Sequence, residues 1–290
     1  MGCLLAARLA ESGIPVILVD HHPDRARRIA ERGIIMAVPH ARPVMGPVVC
    51  IGPWPEKPTV LICVKSVALP GVLATHTAAL SVCRAVAAVQ NGLAWPGALA
   101  RSTGPAVGGI VAYFGVHLAA DRSVVEAGDG PVRVGALAPA GGGEFRRIAV
   151  DLCRAGFAAE FVDDIRREAW MKLIVNLAIN PLTVIHACPN GGLLDNGARQ
   201  ARLETLAREG AAVAAAEGVQ FDPAVMVRSA VDTCRRTGAN ISSTLQDSRS
   251  GRPTELDAII GHVVRRGQAR GVPVPGAAAV LAECRAICQV

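Results

Sequence analysis

Aromatic residues are scarce, with Phe, Trp and Tyr making up 3% of the 290 residues, and the 30 Lys and Arg are scattered, not gathered into one patch. Nucleic-acid surfaces need a dense basic stripe and, for single strands, stacking rings, so no nucleic-acid partner is implied. Cys-x-x-Cys pairs and Cys/His ligand spacings are also missing. The nine cysteines (Cys3, Cys50, Cys63, Cys83, Cys153, Cys188, Cys234, Cys284 and Cys288) are odd in number and read as small core residues of a reduced protein. Cys284 and Cys288 stand one helical turn apart but lack two further ligands, so no metal is expected there. No apolar run reaches the roughly 20 residues that a bilayer demands, and no charged-then-apolar leader opens the sequence. No membrane partner and a cytoplasmic location are therefore expected. Internal repeats and low-complexity runs are absent as well.

What is present is apolar bulk: 51% hydrophobic residues over a length sufficient for two ordinary domains, each able to bury a core. The formal net charge of +6 suits a mildly positive cleft for a small anionic substrate.

Taken in order, the chain opens in the middle of a pattern. Gly2 to Glu11, with Leu4, Leu5 and Leu9 among alanines and Ser12-Gly13 as a stop, predicts a short amphipathic helix. Val16-Ile-Leu-Val-Asp20 predicts an all-apolar strand buried in a parallel sheet and ending in an acid. Helix, strand and acid form the second half of a dinucleotide-binding unit, in which Gly2 is the last glycine of Gly-x-Gly-x-x-Gly and Asp20 the ribose-binding acid. The first strand and the first two glycines are missing, so the natural beginning is expected to lie upstream. A helix from Pro23 to Arg32 follows, then short extended pieces around Ile34 and Val48. Buried strands at Thr59–Val64 and Arg84–Val89 deliver Lys65-Ser66 and Gln90-Asn91-Gly92, with a helix from Leu69 to Leu80 between them. Ligands in open parallel sheets bind beyond the carboxyl ends of the strands, so Asp20, Lys65 and Asn91 are expected on one edge. Gly108 to Leu137, with a Gly128-Asp129-Gly130 turn, reads as antiparallel strands at the edge of the sheet. A helix over 144–155 and a strand over 159–162 close a first domain, 1–164. The remainder, 165–290, is helical in pattern.

That second domain begins with the helix on which the reading turns. From Arg166 to Pro181 nearly every position after Trp170 is apolar, except Lys172, Asn176 and Asn180. Spaced by four, these three form one polar stripe on an otherwise buried helix. Unpaired, such groups cost roughly 1–3 kcal/mol each, so protein groups or a polar ligand must meet them. Further on, Thr254-x-x-Asp257 resembles a capping box, which places Glu255 in a helical first turn as a structural residue.

Val64-Lys65-Ser66, Gln90-Asn91-Gly92, Trp170-Met-Lys172-Leu-x-x-Asn176-x-x-x-Asn180-Pro181-Leu-Thr183, Cys188-Pro-Asn190-Gly191, Asn240-x-Ser242-Ser243-x-Leu-Gln-Asp247 and Gly251-Arg-Pro-Thr-Glu255-x-Asp257, in this order, resemble the ketopantoate reductase (2-dehydropantoate 2-reductase) family. The resemblance implies an α/β fold: a Rossmann-type parallel-sheet domain, here without its first strand, followed by an all-helical C-terminal domain, with the active site in the cleft between them. It further implies NADPH-dependent reduction of 2-dehydropantoate to (R)-pantoate in pantothenate and coenzyme A biosynthesis. Carried over by position, Lys172 is the proton donor, Asn91, Asn176, Asn180, Asn190 and Ser243 bind the keto acid, and Gly2, Asp20, Lys65, Asn91 and Glu255 face the cofactor. Asp20 departs from the pattern. A carboxylate there accepts from a ribose 2′-hydroxyl and repels a 2′-phosphate, so NAD(H) stands beside NADP(H), with Arg25 or Lys65 available to a phosphate. A reductase of another keto acid and a truncated, non-catalytic fragment are the alternatives, and a homo-oligomer is compatible with the sequence.

Overall fold

The structure is a computed structural model that describes all residues other than 21, 38–42, 46–47, 50–53, 103, 105, 120, 122, 129 and 289–290. Cys50 and Asp129 thus lie outside the described residues. The chain divides into two compact units, the first comprising Met1–Val64, Leu69–Gln90 and Pro96–Ile165 and the second Lys65–Ala68, Asn91–Trp95 and Arg166–Val290.

In the first unit helix α1 (Gly2–Glu11) buries Leu4, Leu5, Ala6, Ala7 and Leu9, the face its apolar spacing predicts. Strand β1 is only Leu18–Val19 and pairs in parallel with β2 (Val48–Val49), in a two-stranded sheet separate from the main one. The expectation of a fully buried strand over 16–20 fails here. Ile17 and Val19 are 41% and 40% exposed while Leu18 is half-buried, the alternation of a strand covered on one face only. Asp20, just past its end, is buried.

The main sheet holds β3 (Thr59–Ile62), β4 (Ala85–Ala88), β5 (Val107–Ala112), β8 (Val132–Ala136) and β9 (Ala159–Phe161) in that spatial order. β3, β4 and β5 run parallel, β8 is antiparallel to β5, and β9 is parallel to β8. The segment expected to form the sheet edge is therefore split. β5 and β8 are interior strands, and only the hairpin of β6 (Gly115–Leu118) and β7 (Val124–Ala127) forms a separate two-stranded piece. Small residues let this interior form. Both β4 and β5 are Ala- and Gly-rich, and a Cβ on Gly108 would lie 2.1 Å from the Gly135 carbonyl oxygen and 2.5 Å from the Phe145 ring. Helices α2 (Pro23–Arg32), α3 (Leu69–Ser81) and α4 (Trp95–Ser102) precede α5 (Gly142–Arg154), whose Phe145 packs on this face with Ile148 and Leu152.

The second unit is built around α6 (Ile165–His186), whose Leu173, Ile174, Leu177, Ala178 and Leu182 are at most 1% exposed. The helix runs five residues beyond Pro181, the last residue of the stretch read as helical from the sequence. A proline inside a helix forfeits one backbone donor and crowds the preceding turn. Here its carbonyl is met by the Cys284 thiol at 3.5 Å, and Leu182 and Val184 beyond it are buried, so packing outweighs the break. Around α6 lie α7 (Gly197–Ala216), α8 (Pro223–Arg236), the short α9 (Ser243–Arg249), α10 (His262–Arg270) and α11 (Pro275–Cys288). Their starts are marked in sequence. Asn196 accepts from the Ala198 N–H at 2.8 Å, Asp222 from the Ala224 N–H at 2.7 Å, and Ser242 from the Leu245 N–H at 3.2 Å. α11 is capped from another helix, because the Glu209 carboxylate accepts from the Gly276 and Ala277 N–H groups at 2.8 and 2.7 Å. Gly210 permits close approach of α7 to α6, since a Cβ there would meet the Leu177 Cδ2 at 2.8 Å.

Gly108→Ala tests the interior of the sheet. A methyl group at 2.1 Å from a backbone oxygen forces the strands apart, so the variant is expected to lose about 1–3 kcal/mol, read as a lower urea midpoint at unchanged slope.

Candidate active site

Of Asp20, Lys65 and Asn91, expected together on one edge, only Asn91 meets the Glu255 carboxylate, joined there by Ser66. Glu255 Oε1 accepts from the Ser66 backbone N–H at 3.2 Å and from the Ser66 hydroxyl at 3.1 Å, and Glu255 Oε2 accepts from the Asn91 carboxamide at 3.0 Å. All three residues lie in the second unit. The capping-box reading of Thr254-x-x-Asp257 is corrected by this arrangement. The helical segment opens as a π-helical turn, Asp257–Gly261, without a side-chain cap, and Asp257 pairs instead with Arg265 at 2.6 Å and Arg285 at 3.7 Å. Glu255 is thus set by long-range partners and not by the helix it precedes. A π turn beside a polar cluster is a recurrent feature of functional sites.

Gly92 is fixed by the same packing. It adopts φ +81°, and a Cβ there would lie 2.5 Å from the Ala258 carbonyl oxygen, so only glycine lets Asn91 approach Glu255. Its own carbonyl accepts from the Trp95 indole at 3.1 Å. Lys65 is held separately. Its ammonium lies 2.7 Å from the buried Asp247 carboxylate and 3.0 Å from the Pro253 carbonyl oxygen, and Asp247 also binds Arg252 at 3.1 Å.

On α6, Lys172 and Asn176 are half-buried and Asn180 is buried. Burial brings the Lys172 ammonium from its ordinary 10.5 down to about 8, and the negative charge of Glu255 opposes that fall. Asn190 is buried with its carboxamide nitrogen donating to the Thr237 hydroxyl at 2.8 Å, while its carboxamide oxygen finds no donor among the described residues. Ser243 is the exposed first residue of α9, directly after the capping Ser242. Gly2 and Asp20 belong to the first unit. The Asp20 carboxylate accepts from the His22 N–H at 2.9 Å and from the Arg25 guanidinium, which approaches through both Nε and Nη2. A Cβ on Gly2 would lie 3.1 Å from Cys63 Cβ, a tight contact that Cys63 would have to yield to by a few tenths of an ångström.

Ser66 and Asp247 went without a role in the sequence reading although both stand inside the quoted motifs. The signal for Ser66 was its place beside Lys65 at a strand end; for Asp247, a carboxylate inside an otherwise uncharged stretch offered only a weak one. Gln90, directly before Asn91, buries both carboxamide atoms without a partner among the described residues, an uncommon condition for an amide.

Comparison with known proteins gives matches along most of the chain. Residues 1–139 match the family model described as ketopantoate reductase PanE/ApbA, and residues 164–287 match the model of its C-terminal part. A 2-dehydropantoate 2-reductase of Halobacterium salinarum is 30% identical over 286 residues, covering 95% of this chain and 91% of that protein. One of Archaeoglobus fulgidus is 36% identical over 187 residues, which are 64% of this chain and 62% of that protein, so this alignment spans less than two thirds of the relative. Among solved structures, a PanE/ApbA family ketopantoate reductase of Ralstonia eutropha superposes with a TM-score of 0.86 at 28% identity, over 99% of this chain and 95% of that one.

The depressed Lys172 ammonium has a consequence for stability that can be measured without any substrate. Between pH 8 and 10.5 the unfolded chain holds a proton on this lysine that the folded chain has released, so the lysine's contribution to stability rises with pH across that window and is a constant penalty below it. Urea midpoints at stepped pH are expected to show Lys172→Met more stable than wild type near pH 7, by on the order of 2–3 kcal/mol, with the gap closing towards pH 10.5.

Proposed function

Because the chain belongs to the ketopantoate reductase family, we propose that it reduces 2-dehydropantoate to (R)-pantoate with NADPH, the step that feeds pantothenate and coenzyme A biosynthesis, and that Lys172 is its proton donor. In this reading residues 1–164 serve the dinucleotide and 165–290 the keto acid. The observation that carries it is the Lys172 ammonium, brought by burial to about 8 in the field of Glu255. An acid works best when its pKa lies near the working pH, and an ordinary lysine holds its proton too tightly for that. When bound, the reduced nicotinamide supplies hydride to the ketone carbon. Lys172 meets the charge that develops on the ketone oxygen and donates the proton that completes the hydroxyl. Both bonds to the former carbonyl are then accounted for without a metal. Asn91, Asn176, Asn180, Asn190 and Ser243 are neutral donors and acceptors, so they hold the carboxylate and hydroxyl of the substrate without a second cation competing with Lys172. The unpaired carboxamide oxygen of Asn190 supports a place for it beside a hydroxyl donor.

In this reading Gly2, on the first turn of α1, and Asp20, beyond β1, are the first unit's groups for the dinucleotide, and Lys65, Asn91 and Glu255 those of the second. Arg25 supports NADPH over NADH. Its side chain, 45% exposed, pairs with the Asp20 carboxylate and so reduces the repulsion that a bare acid would exert on a 2′-phosphate, and its exposed part would be available to that phosphate. The carboxylate itself supports NADH as the second reading, through the ribose hydroxyl.

Lys172→Ala is expected to lower ketone reduction by at least about a hundredfold, with an unchanged far-ultraviolet circular dichroism spectrum. A variant that keeps most of its turnover removes Lys172 from the acid's role. Arg25→Met is expected to weaken NADPH about tenfold in a tryptophan-fluorescence titration and to leave NADH unaltered; equal weakening of both assigns Arg25 to structure alone.

A further inference from the structure

Behind the polar stripe of α6 lies a hydroxyl pair that the proposed chemistry does not use. Thr183 is fully buried and Ser242 is 6% exposed, and their oxygens are 2.6 Å apart. Thr183 Oγ1 also lies 2.7 Å from the Asn180 carbonyl oxygen, and Ser242 Oγ lies 3.2 Å from the Leu245 backbone nitrogen. The end groups settle the direction of the protons between them. The Asn180 carbonyl can only accept, so Thr183 donates its proton there; the Leu245 N–H can only donate, so Ser242 accepts from it and gives its own proton to Thr183. The result is a single ordered run, Leu245 N–H to Ser242 to Thr183 to the Asn180 carbonyl, with each hydroxyl donating once and accepting once.

This run ties two stretches together at defined points. On α6 its end is the backbone of Asn180, a member of the stripe. On the other side it holds Ser242, the N-cap of α9, and the next residue is the exposed Ser243. The stretch leading into Ser242 is pinned at its other end, because the Asn190 N–H donates to the Asn240 carbonyl at 3.0 Å and the Gly191 N–H to the Gly238 carbonyl at 3.0 Å. Asn180, Asn190 and Ser243 are thus placed relative to one another by backbone bonds at 190–191 and by the hydroxyl pair at 183 and 242. A valine at 183 fills the same volume and donates nothing.

We propose that Thr183, acting with Ser242, is a positioning residue for the keto acid, setting Ser243 against Asn180 and Asn190 without touching the substrate. This rests on the reading of those three residues as the substrate-binding set. Displacing a positioned group by about 1 Å is enough to cost on the order of a hundredfold in rate, so an effect confined to the keto acid is large enough to see.

The test is steady-state kinetics of wild type, Thr183→Val, Thr183→Ser, Ser242→Ala and the Thr183→Val/Ser242→Ala double variant, alongside thermal unfolding. The expected result for Thr183→Val is a KM for 2-dehydropantoate raised about tenfold or more, with the KM for NADPH within about twofold of wild type. Thr183→Ser, which keeps the hydroxyl, is expected to restore the wild-type value. Ser242→Ala is expected to match Thr183→Val, and the double variant to be no worse than either single one, since both break the same run. A Thr183→Val enzyme whose KM for the keto acid stays within about twofold overturns the proposal, and so does one that loses both substrates equally, or a Thr183→Ser enzyme no better than valine. If Thr183→Val does not fold, Ser242→Ala with the same two KM values decides the matter. A wild type that reduces a different 2-keto acid corrects the substrate and leaves this test in place with that acid; a wild type that neither reduces nor binds any keto acid overturns the functional reading, and the positioning role with it.

Discussion

Glu255 takes hydrogen bonds from Ser66 and Asn91, residues 189 and 164 positions away along the chain, and every donor among these is neutral. This carboxylate is held in place by partners drawn from distant parts of the chain. Its field is then available to Lys172, where it partly offsets the desolvation that would otherwise drive the ammonium lower still. The rest of the candidate site depends on that balance. With less burial the lysine would behave as a surface amine; with no acid nearby its affinity for the proton would fall further.

The second basic group, Lys65, is handled by a different rule. It meets the Asp247 carboxylate at contact distance and a backbone carbonyl besides, and Asp247 is itself shared with Arg252. Asp247 thereby holds Lys65 by direct contact, while Glu255 acts on Lys172 through its charge. The Lys65 side chain is 39% exposed and keeps part of its hydration, and the Pro253 carbonyl and the Arg252 guanidinium complete the bonding of the pair. The neutral groups Asn176, Asn180, Asn190 and Ser243 follow the same economy of charge, adding hydrogen-bonding capacity without altering the electrostatics.

Local signals in the sequence translated well where one short-range force dominated. The apolar spacing of 2–11 gave α1 its buried face, because one short-range pattern is sufficient there. The same logic misled at Thr254, where a capping pattern was present and the tertiary partners Arg265 and Arg285 claimed Asp257 instead. It misled again at 16–20, where apolar composition suggested cover on both faces and Ile17 and Val19 are well exposed. Burial of a strand is a property of its neighbours, which composition does not encode. Pro181 is the converse case, a local stop signal overridden by the packing of Leu182 and Val184.

By itself the sequence determined the family, the two-part architecture, and the stripe of Lys172, Asn176 and Asn180, because each rests on residue type and spacing within a few turns of chain. It could not determine which acid stands near Lys172, how far the ammonium's affinity for its proton would fall, or that Thr183 and Ser242 share a proton-ordered contact. Those were decided by the tertiary structure, since burial and the meeting of residues far apart in sequence exist only once the chain has closed on itself.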